Sequence, residues 1–306
     1  MAVTMQQEFS PGLVQTGAVP EPRRAQPLQA ADESEVLEFL SARPIHTVFM
    51  ASLIRDNGIV SDFNRGAFFG CRSENGELEG VALLGHATLI ETESDLCIKA
   101  FAEVAKRHSL SHLIRGEQDK IEAFWNFYTE GKFRPPLLCS ELLLQLRAIP
   151  DETASVPGLR QATIADLETI VHVNASMACD ESGINPLARD PQGFRQRAAR
   201  RIGKGRVWVW IENQHLIYKT DVVAETPQAV YLEGVYVHPD QRMQGHGLRC
   251  ISQLATSLLQ RSETICLTVN EKSAGSQQFY KRAGYEFVCR YDSIYLDNLN
   301  EPDEAA

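Results

Sequence analysis

The stretch HPDQRMQGHGLRC, residues 238–250, places two glycines one residue apart behind an arginine, where a strand-like run gives way to a helix-like one. The apolar run AVYLEGVYV ends at Val237, and Pro239 stiffens the turn that follows. Gly245 and Gly247 carry no Cβ, so the main chain can approach a bulky anion as the next helix begins. The first amides of a helix have no carbonyl partner inside it, and the helix dipole favours negative charge there. The stretch therefore reads as a pyrophosphate cradle made of main chain, against the plainer alternative of an ordinary loop before a helix. It is not a Walker loop, because no Gly-Lys-Ser/Thr follows. Its Arg-x-x-Gly-x-Gly spacing is not a dinucleotide fingerprint either.

Outward from this point the pattern repeats. Downstream, Leu248, Ile251, Leu254, Leu258 and Leu259 fall at helical spacing, TICLTV is a strand, SAGSQQFYKRAG a helix and YEFVCRYDSIYL the last strands. Upstream lie three strands, RVWVWIE, HLIYKTDVVA and AVYLEGVYV, and before them a helix for which Thr163 is the expected N-cap. The same order of helix, strands, helix, strand, helix, strand begins near Glu35, with Ser34 as expected N-cap and a break at Pro44. RAIPDETASVPG, residues 147–158, has two prolines and little apolar content and marks a junction. The chain thus reads as a duplicated α+β unit: residues 1–31 a disordered, proline-bearing leader, 32–147 a first domain, 158–298 a second. The first copy has nothing like the Arg-x-x-Gly-x-Gly string.

Composition narrows the function. A net charge of −10 and a pI near 5.4 argue against a general nucleic-acid binder, which needs clustered basic surface. The 7 cysteines are odd in number and never arranged as Cys-x-x-Cys, so neither a disulfide framework nor a structural metal site is expected, and a reducing cytoplasm fits. No apolar run approaches the roughly 20 residues of a membrane span.

YLEGVYVHPDQRMQGHGLRCISQL followed by ICLTVNEKSAGSQQFYKRAGYEF resembles the acetyl-CoA-binding core of the GNAT N-acetyltransferase superfamily. The resemblance is strong over residues 158–296 and weaker over 32–147, which look like the degenerate N-terminal partner of tandem, two-domain bacterial members. It implies tandem GNAT-like folds, each a mixed, mostly antiparallel sheet flanked by helices, and acetyl transfer from acetyl-CoA to an amine, with no metal. By the same resemblance Val235, Tyr236 and Val237 offer backbone amides to pantetheine, and Arg242, Met243, Gln244, Gly245, His246, Gly247 and Leu248 hold the pyrophosphate. Tyr280 matches the tyrosine that protonates the departing thiolate, and a phenol of pKa about 10 is protonated at neutral pH. Three departures stand out: Met243 replaces a usual glycine, Ser273 an asparagine that reaches the cofactor, and Ser276 an alanine, with Asn270 positioned to compensate.

A lysine-like amine of pKa about 10.4 is charged at pH 7 and must lose a proton before it attacks. By the same resemblance, which places an acidic residue on this strand in many members, Glu233 is the expected base, with Asp221 on the preceding strand as second candidate. Strict strand alternation puts Glu233 on one face with Val235 and Val237. An ion pair with Lys219 or an arginine across the sheet is the competing role for Glu233. The basic run at 195–206 reads as a solvated helix face, or as a contact for an acidic acceptor or the cofactor's 3′-phosphate. Asp180 and Glu181 favour a cationic acceptor, small molecule or peptide. The rival reading is a non-catalytic acyl-CoA-binding sensor or scaffold.

Overall fold

The computed structural model describes residues 23–107, 111–149 and 155–296, without the side chains of residues 181 and 182. In the first half, strand β1 (Ala25–Pro27) leads through a 3₁₀ turn into helices α1 (Glu33–Ser41) and α2 (Pro44–Asn57). Strands β2 (Gly66–Arg72), β3 (Leu78–Gly85) and β4 (Ala87–Thr92) follow, then α3 (Asp95–Ala105), β5 (Leu113–Glu117), α4 (Gln118–Thr129) and β6 (Leu137–Leu146). The second half repeats the order: β7 (Leu159–Gln161), α5 (Leu167–Ser182), the extra turn α6 (Pro186–Arg189), α7 (Pro191–Gly203), β8 (Val207–Glu212), β9 (His215–Glu225) and β10 (Ala229–Val237). Then come α8 (His246–Leu258), β11 (Thr264–Asn270), α9 (Ala274–Arg282) and β12 (Glu286–Tyr295).

The repetition reaches the helix caps. Asp32 accepts the Gln29 amide at 2.7 Å, and Asp166 accepts the Thr163 amide at 2.7 Å, each at the same turn of its half. Thr163 therefore caps the 3₁₀ turn ahead of α5 rather than α5 itself, and Ser34 lies inside α1, behind Asp32 at the N-cap. Residues 25–27 correct the expected leader. They pair antiparallel with β2, from Ala25↔Cys71 to Pro27↔Phe69. Three residues at a sheet edge are too few to show a period, and at an edge Pro27 can lack its donor. Residues 1–22 of that leader, 150–154 of the expected junction and 297–298 of the second span lie outside the described residues.

Among the described residues, twelve strands form one sheet in the order β1-β2-β3-β4-β5-β12-β6-β11-β10-β9-β8-β7, parallel only at β4–β5 and β10–β11. The halves exchange their last strands. β12 pairs with β5 from Tyr291↔Glu117 to Tyr295↔Leu113, and β6 pairs with β11 from Ile265↔Leu146 to Asn270↔Glu141. Each core is closed by the other half: Ile294 and Leu296 are buried with Phe101 and Phe124, and Leu144 and Leu146 with Ile251 and Leu267. Side chains of this size contribute about 1.5–3 kcal/mol each when buried. Losing an exchanged strand therefore removes much of the roughly 5–15 kcal/mol by which a domain is stable. Residues 23–149 expressed alone are expected to show no cooperative thermal transition by circular dichroism, and co-expression with 155–296 to restore one. A cooperative melt of the isolated fragment would contradict this account.

Candidate functional site

The site begins where β10 leaves its parallel neighbour. Pairing of β10 with β11 covers only Ala229–Tyr231 against Thr264–Cys266, whereas pairing with β9 continues to Val237↔Tyr218. From Leu232 onward the β11-facing edge of β10 is splayed open. Within the splay the register with β9 slips, from Glu233↔Asp221 to Tyr236↔Lys219, so β10 carries one extra residue there. Gly234 sits in this bulge at φ +61°, and a Cβ on it would lie 2.5 Å from Lys219 Nζ. The bulge breaks the alternation expected from sequence. Glu233 shares a face with Tyr236, Lys219 and Asp221, while Val235 and Val237 pack on the opposite face with Tyr218 and Cys250.

Beyond Val237 a 3₁₀ turn, Pro239–Gln241, carries the chain to the start of α8. Arg242 and Gln241 donate their amides back to Pro239 and His238, and Arg249 donates to Gly245. Between them, none of the amides of Met243–Leu248 finds a main-chain acceptor among the described residues. Arg242 Nε braces the Val237 carbonyl at 3.1 Å. His246 is not a solvated turn residue: it packs edge-on against Trp210 at 4.9 Å and meets Arg249 at 2.8 Å. The two glycines do different work. Gly245 takes φ +77° with nothing within 4 Å of an added Cβ, so its outer face is open. At Gly247 a Cβ would meet Val237 Cγ2 at 2.9 Å and Phe279 at 3.2 Å, so it lets β10, α8 and α9 close together. Met243 adopts φ +61° while 96% exposed, a left-handed conformation in which a side chain is strained.

Tyr280 lies on the α8 and α9 side of the sheet, edge-on to Phe279 and Tyr285 at 5.0 and 5.5 Å. Burial pushes its phenol above the ordinary value, which keeps it protonated. Ser273 is tied to Ser276 at 2.8 Å, and Asn270 Oδ1 accepts the Lys272 amide at 2.8 Å. On the other face Glu233 is 52% exposed and 3.7 Å from Arg115 Nη1, an arginine contributed by β5 of the first half. Arg115 Nη2 is held by Glu141, Tyr231 and Thr268 at 3.2, 2.7 and 2.5 Å. Asp221, the second candidate base, is buried between Lys219 at 3.2 Å and Arg201 at 2.9 Å, so its carboxylate is already engaged. Sequence reasoning missed Arg115 and Gly234, and it named Asp221 as a second base and Lys219 as a partner for Glu233 without pairing the two with each other. The one legible signal was a glycine inside a strand, which commonly marks a bulge.

The first half shows what the site looks like when closed. Counting from the first parallel pair, Ala87↔Leu113 in one half and Ala229↔Thr264 in the other, Glu91 occupies the place of Glu233. Glu91 is 4% exposed and held by Arg43 at 2.8 Å and Lys120 at 3.1 Å. Only Thr92, Glu93 and Ser94 separate it from α3, whereas twelve residues separate Glu233 from α8, so the cradle segment has no counterpart. His46, Glu117 and Cys289 offer ligand atoms within 4.8 Å of one another. Glu117, however, is bound by Arg43 at 2.7 Å and Lys120 at 2.9 Å, and burial pushes the Cys289 thiol up to about 11, so the group forms part of a salt-bridge lattice. A cavity of about 290 Å³ lined by Arg43, His46, Arg147 and Thr264 opens at the start of β11, the end of the sheet away from the cradle.

The basic run corrects another expectation. Arg197 binds Asp190 at 3.0 Å, Arg200 binds Asn57 at 2.8 Å and covers Phe63, and Lys204 and Arg206 bind Asp56 at 2.9 and 2.5 Å. These cations fasten α7 to itself and to the end of α2 rather than reaching the cradle. Asp180 is exposed near the end of α5, and the side chain of Glu181 lies outside the described residues.

A family model described as FR47-like protein matches residues 221–292. Comparison with curated proteins returns no match. Among solved structures, a Drosophila protein superposes with TM-score 0.65 at 11% identity over 90% of this chain and 99% of its own. A GCN5-related N-acetyltransferase from Sphaerobacter thermophilus gives 0.54 at 14%, over 90% and 96%. A tandem GNAT protein from the clavulanic acid biosynthesis pathway gives 0.54 at 14%, over 89% and 98%. At these identities the likeness is one of fold.

Met243→Gly removes the left-handed penalty of about 1–2 kcal/mol, at a chain-entropy cost of roughly 0.5–1 kcal/mol. Calorimetry is expected to show a small gain in stability, up to about 1 kcal/mol, and a loss for Met243→Val. A loss with glycine would overturn the strain assignment.

Proposed function

We propose that this chain, whose fold is like that of GNAT acetyltransferases and whose residues 221–292 match an FR47-like model, transfers an acetyl group from acetyl-CoA directly to an amine. The second half reacts, and the first half walls the acceptor side. The observation that carries this reading is the run of amides from Met243 to Leu248, without main-chain acceptors, at the start of α8. Unpaired donors at a helix N-terminus suit a diphosphate, and the open face of Gly245 leaves room for one. Acetyl-CoA supplies the activated acyl group. The splayed edge of β10 at Val235–Val237 supplies amides for the pantetheine arm, as a sheet edge does for an added strand, and a donor toward the thioester oxygen.

Glu233 and Tyr280 lie on opposite faces of this splayed strand, a disposition that supports one accepting a proton and the other donating one. Glu233 is exposed enough to meet an incoming ammonium and take its proton, directly or through water. Tyr280, protonated and apolar in its surroundings, holds the proton for the departing thiolate. Arg115 carries the first half's contribution to the acceptor side, since it lies beside Glu233. Asp180 on the same half as the cradle supports a cationic acceptor, either a small molecule or a peptide.

Thiol release from acetyl-CoA with a panel of amines tests the reading. Tyr280→Phe is expected to lower kcat by on the order of tenfold to a few hundredfold with acetyl-CoA binding retained. Gly245→Glu is expected to abolish binding in titration calorimetry, by placing bulk and negative charge in the cradle. Wild-type titration should saturate at one site per chain, because the first half lacks the cradle segment. Saturable binding without turnover on any amine would favour a binding module over an enzyme.

A further inference from the structure

Lys219 is fully buried, 0% exposed, and is the one lysine among the buried polar residues described. An isolated buried ammonium costs several kcal/mol unless it is paired and hydrogen-bonded. Here it is surrounded on every side by groups that fix its place. Asp221 Oδ1 is 3.2 Å away, and Nζ donates to Asn174 Oδ1 from α5. Arg201 from α7 holds the other Asp221 oxygen at 2.9 Å. The fourth side is the main chain of β10: Nζ lies 2.5 Å from where a Cβ of Gly234 would be, so only glycine lets the bulge close over the ammonium. The next three residues, Val235–Val237, are the edge to which the proposed reaction assigns its amides.

Resting on that proposed reaction, we propose that Lys219 is a positioning residue for acyl transfer: with Asp221 and Asn174 it clamps the Gly234 bulge and so sets the direction of the amides at residues 235–237. The clamp joins β9, α5 and α7 to the one segment of β10 that has no β11 partner. That segment keeps its pairing with β9 but lacks the β11 side of the ladder, so its geometry depends more heavily on the side chain behind it. Donors at an acyl site act only when aimed at where charge develops, and a displacement of about 1 Å can cost on the order of a hundredfold in rate.

Lys219→Met keeps length and removes the donors. Lys219→Met/Asp221→Asn removes both charges of the pair, so that Asp221 is not left buried as a carboxylate with Arg201 as its remaining cation. In both, kcat with acetyl-CoA and the best amine is expected to fall about ten- to a hundredfold. The Kd for acetyl-CoA should rise by less than kcat falls, because the amides at 243–248 are untouched while those at 235–237 meet both the pantetheine arm and the thioester oxygen; a purely structural role would lower folding stability and leave kcat of the folded fraction unchanged. Folded variants with kcat within about threefold of wild type overturn the assignment. If neither variant folds, Gly234→Ala probes the same contact from the other side: a lowered kcat with retained acetyl-CoA binding supports the clamp, and an unchanged kcat refutes it. A wild-type protein that acylates nothing overturns the parent reaction, whereas turnover that survives in the variants overturns only the role of Lys219.

Discussion

The arrangement depends on the exchange of two strands, β12 into the first half and β6 into the second. A strand placed between two others satisfies its backbone groups on both edges, so neither half has a complete central ladder without the other. Across these strands runs one polar chain: Arg115 on β5, Glu141 on β6, Tyr231 on β10, Thr268 on β11 and Ser293 on β12, which donates to Glu141 at 2.7 Å. A buried ion pair is a weak source of net stability, but it penalises any register that leaves a partner behind. It also fixes where Arg115 ends, beside Glu233. The first half thus reaches the other half's open strand through the sheet rather than across a mobile cleft.

The two halves differ around one shared geometry. Glu91 and Glu233 occupy equivalent places past equivalent parallel pairs. One is buried under Arg43 and Lys120, and the other faces solvent with a single arginine at 3.7 Å. The lock has a local cause. With only three residues between Glu91 and α3 there is no main-chain cradle, and the cations of α2 and α4 fill the space. In the second half the longer connection keeps donors at 243–248 free, and the strand above them open.

The residues that carry the candidate chemistry were unequally visible. Gly245 and Gly247 stood out by their place between a strand and a helix, and the structure separates their tasks into positive φ and close packing. Tyr280 was singled out through the resemblance alone, and the structure places it buried beside Phe279 and Tyr285. Glu233 was found for its chemistry but assigned to the wrong face, since one bulge residue at Gly234 reverses every side chain beyond it. Arg115 was invisible as a site residue, because it lies in the other half and nothing local distinguishes it from a strand arginine.

The sequence by itself determined the succession of elements, the repeated plan and the turn of amides at 243–248 without main-chain acceptors, since each rests on short-range physics: periodicity, turn chemistry and the free donors of a helix start. It did not determine the edge strand at 25–27, the exchange of β6 and β12, the pairing of the basic run with Asp56 and Asn57, or the ammonium of Lys219 behind Gly234. Those were decided by tertiary structure, because strand neighbours and buried charge partners are chosen among groups far apart in the chain. The choice turns on which pairing leaves no backbone donor and no charge unsatisfied.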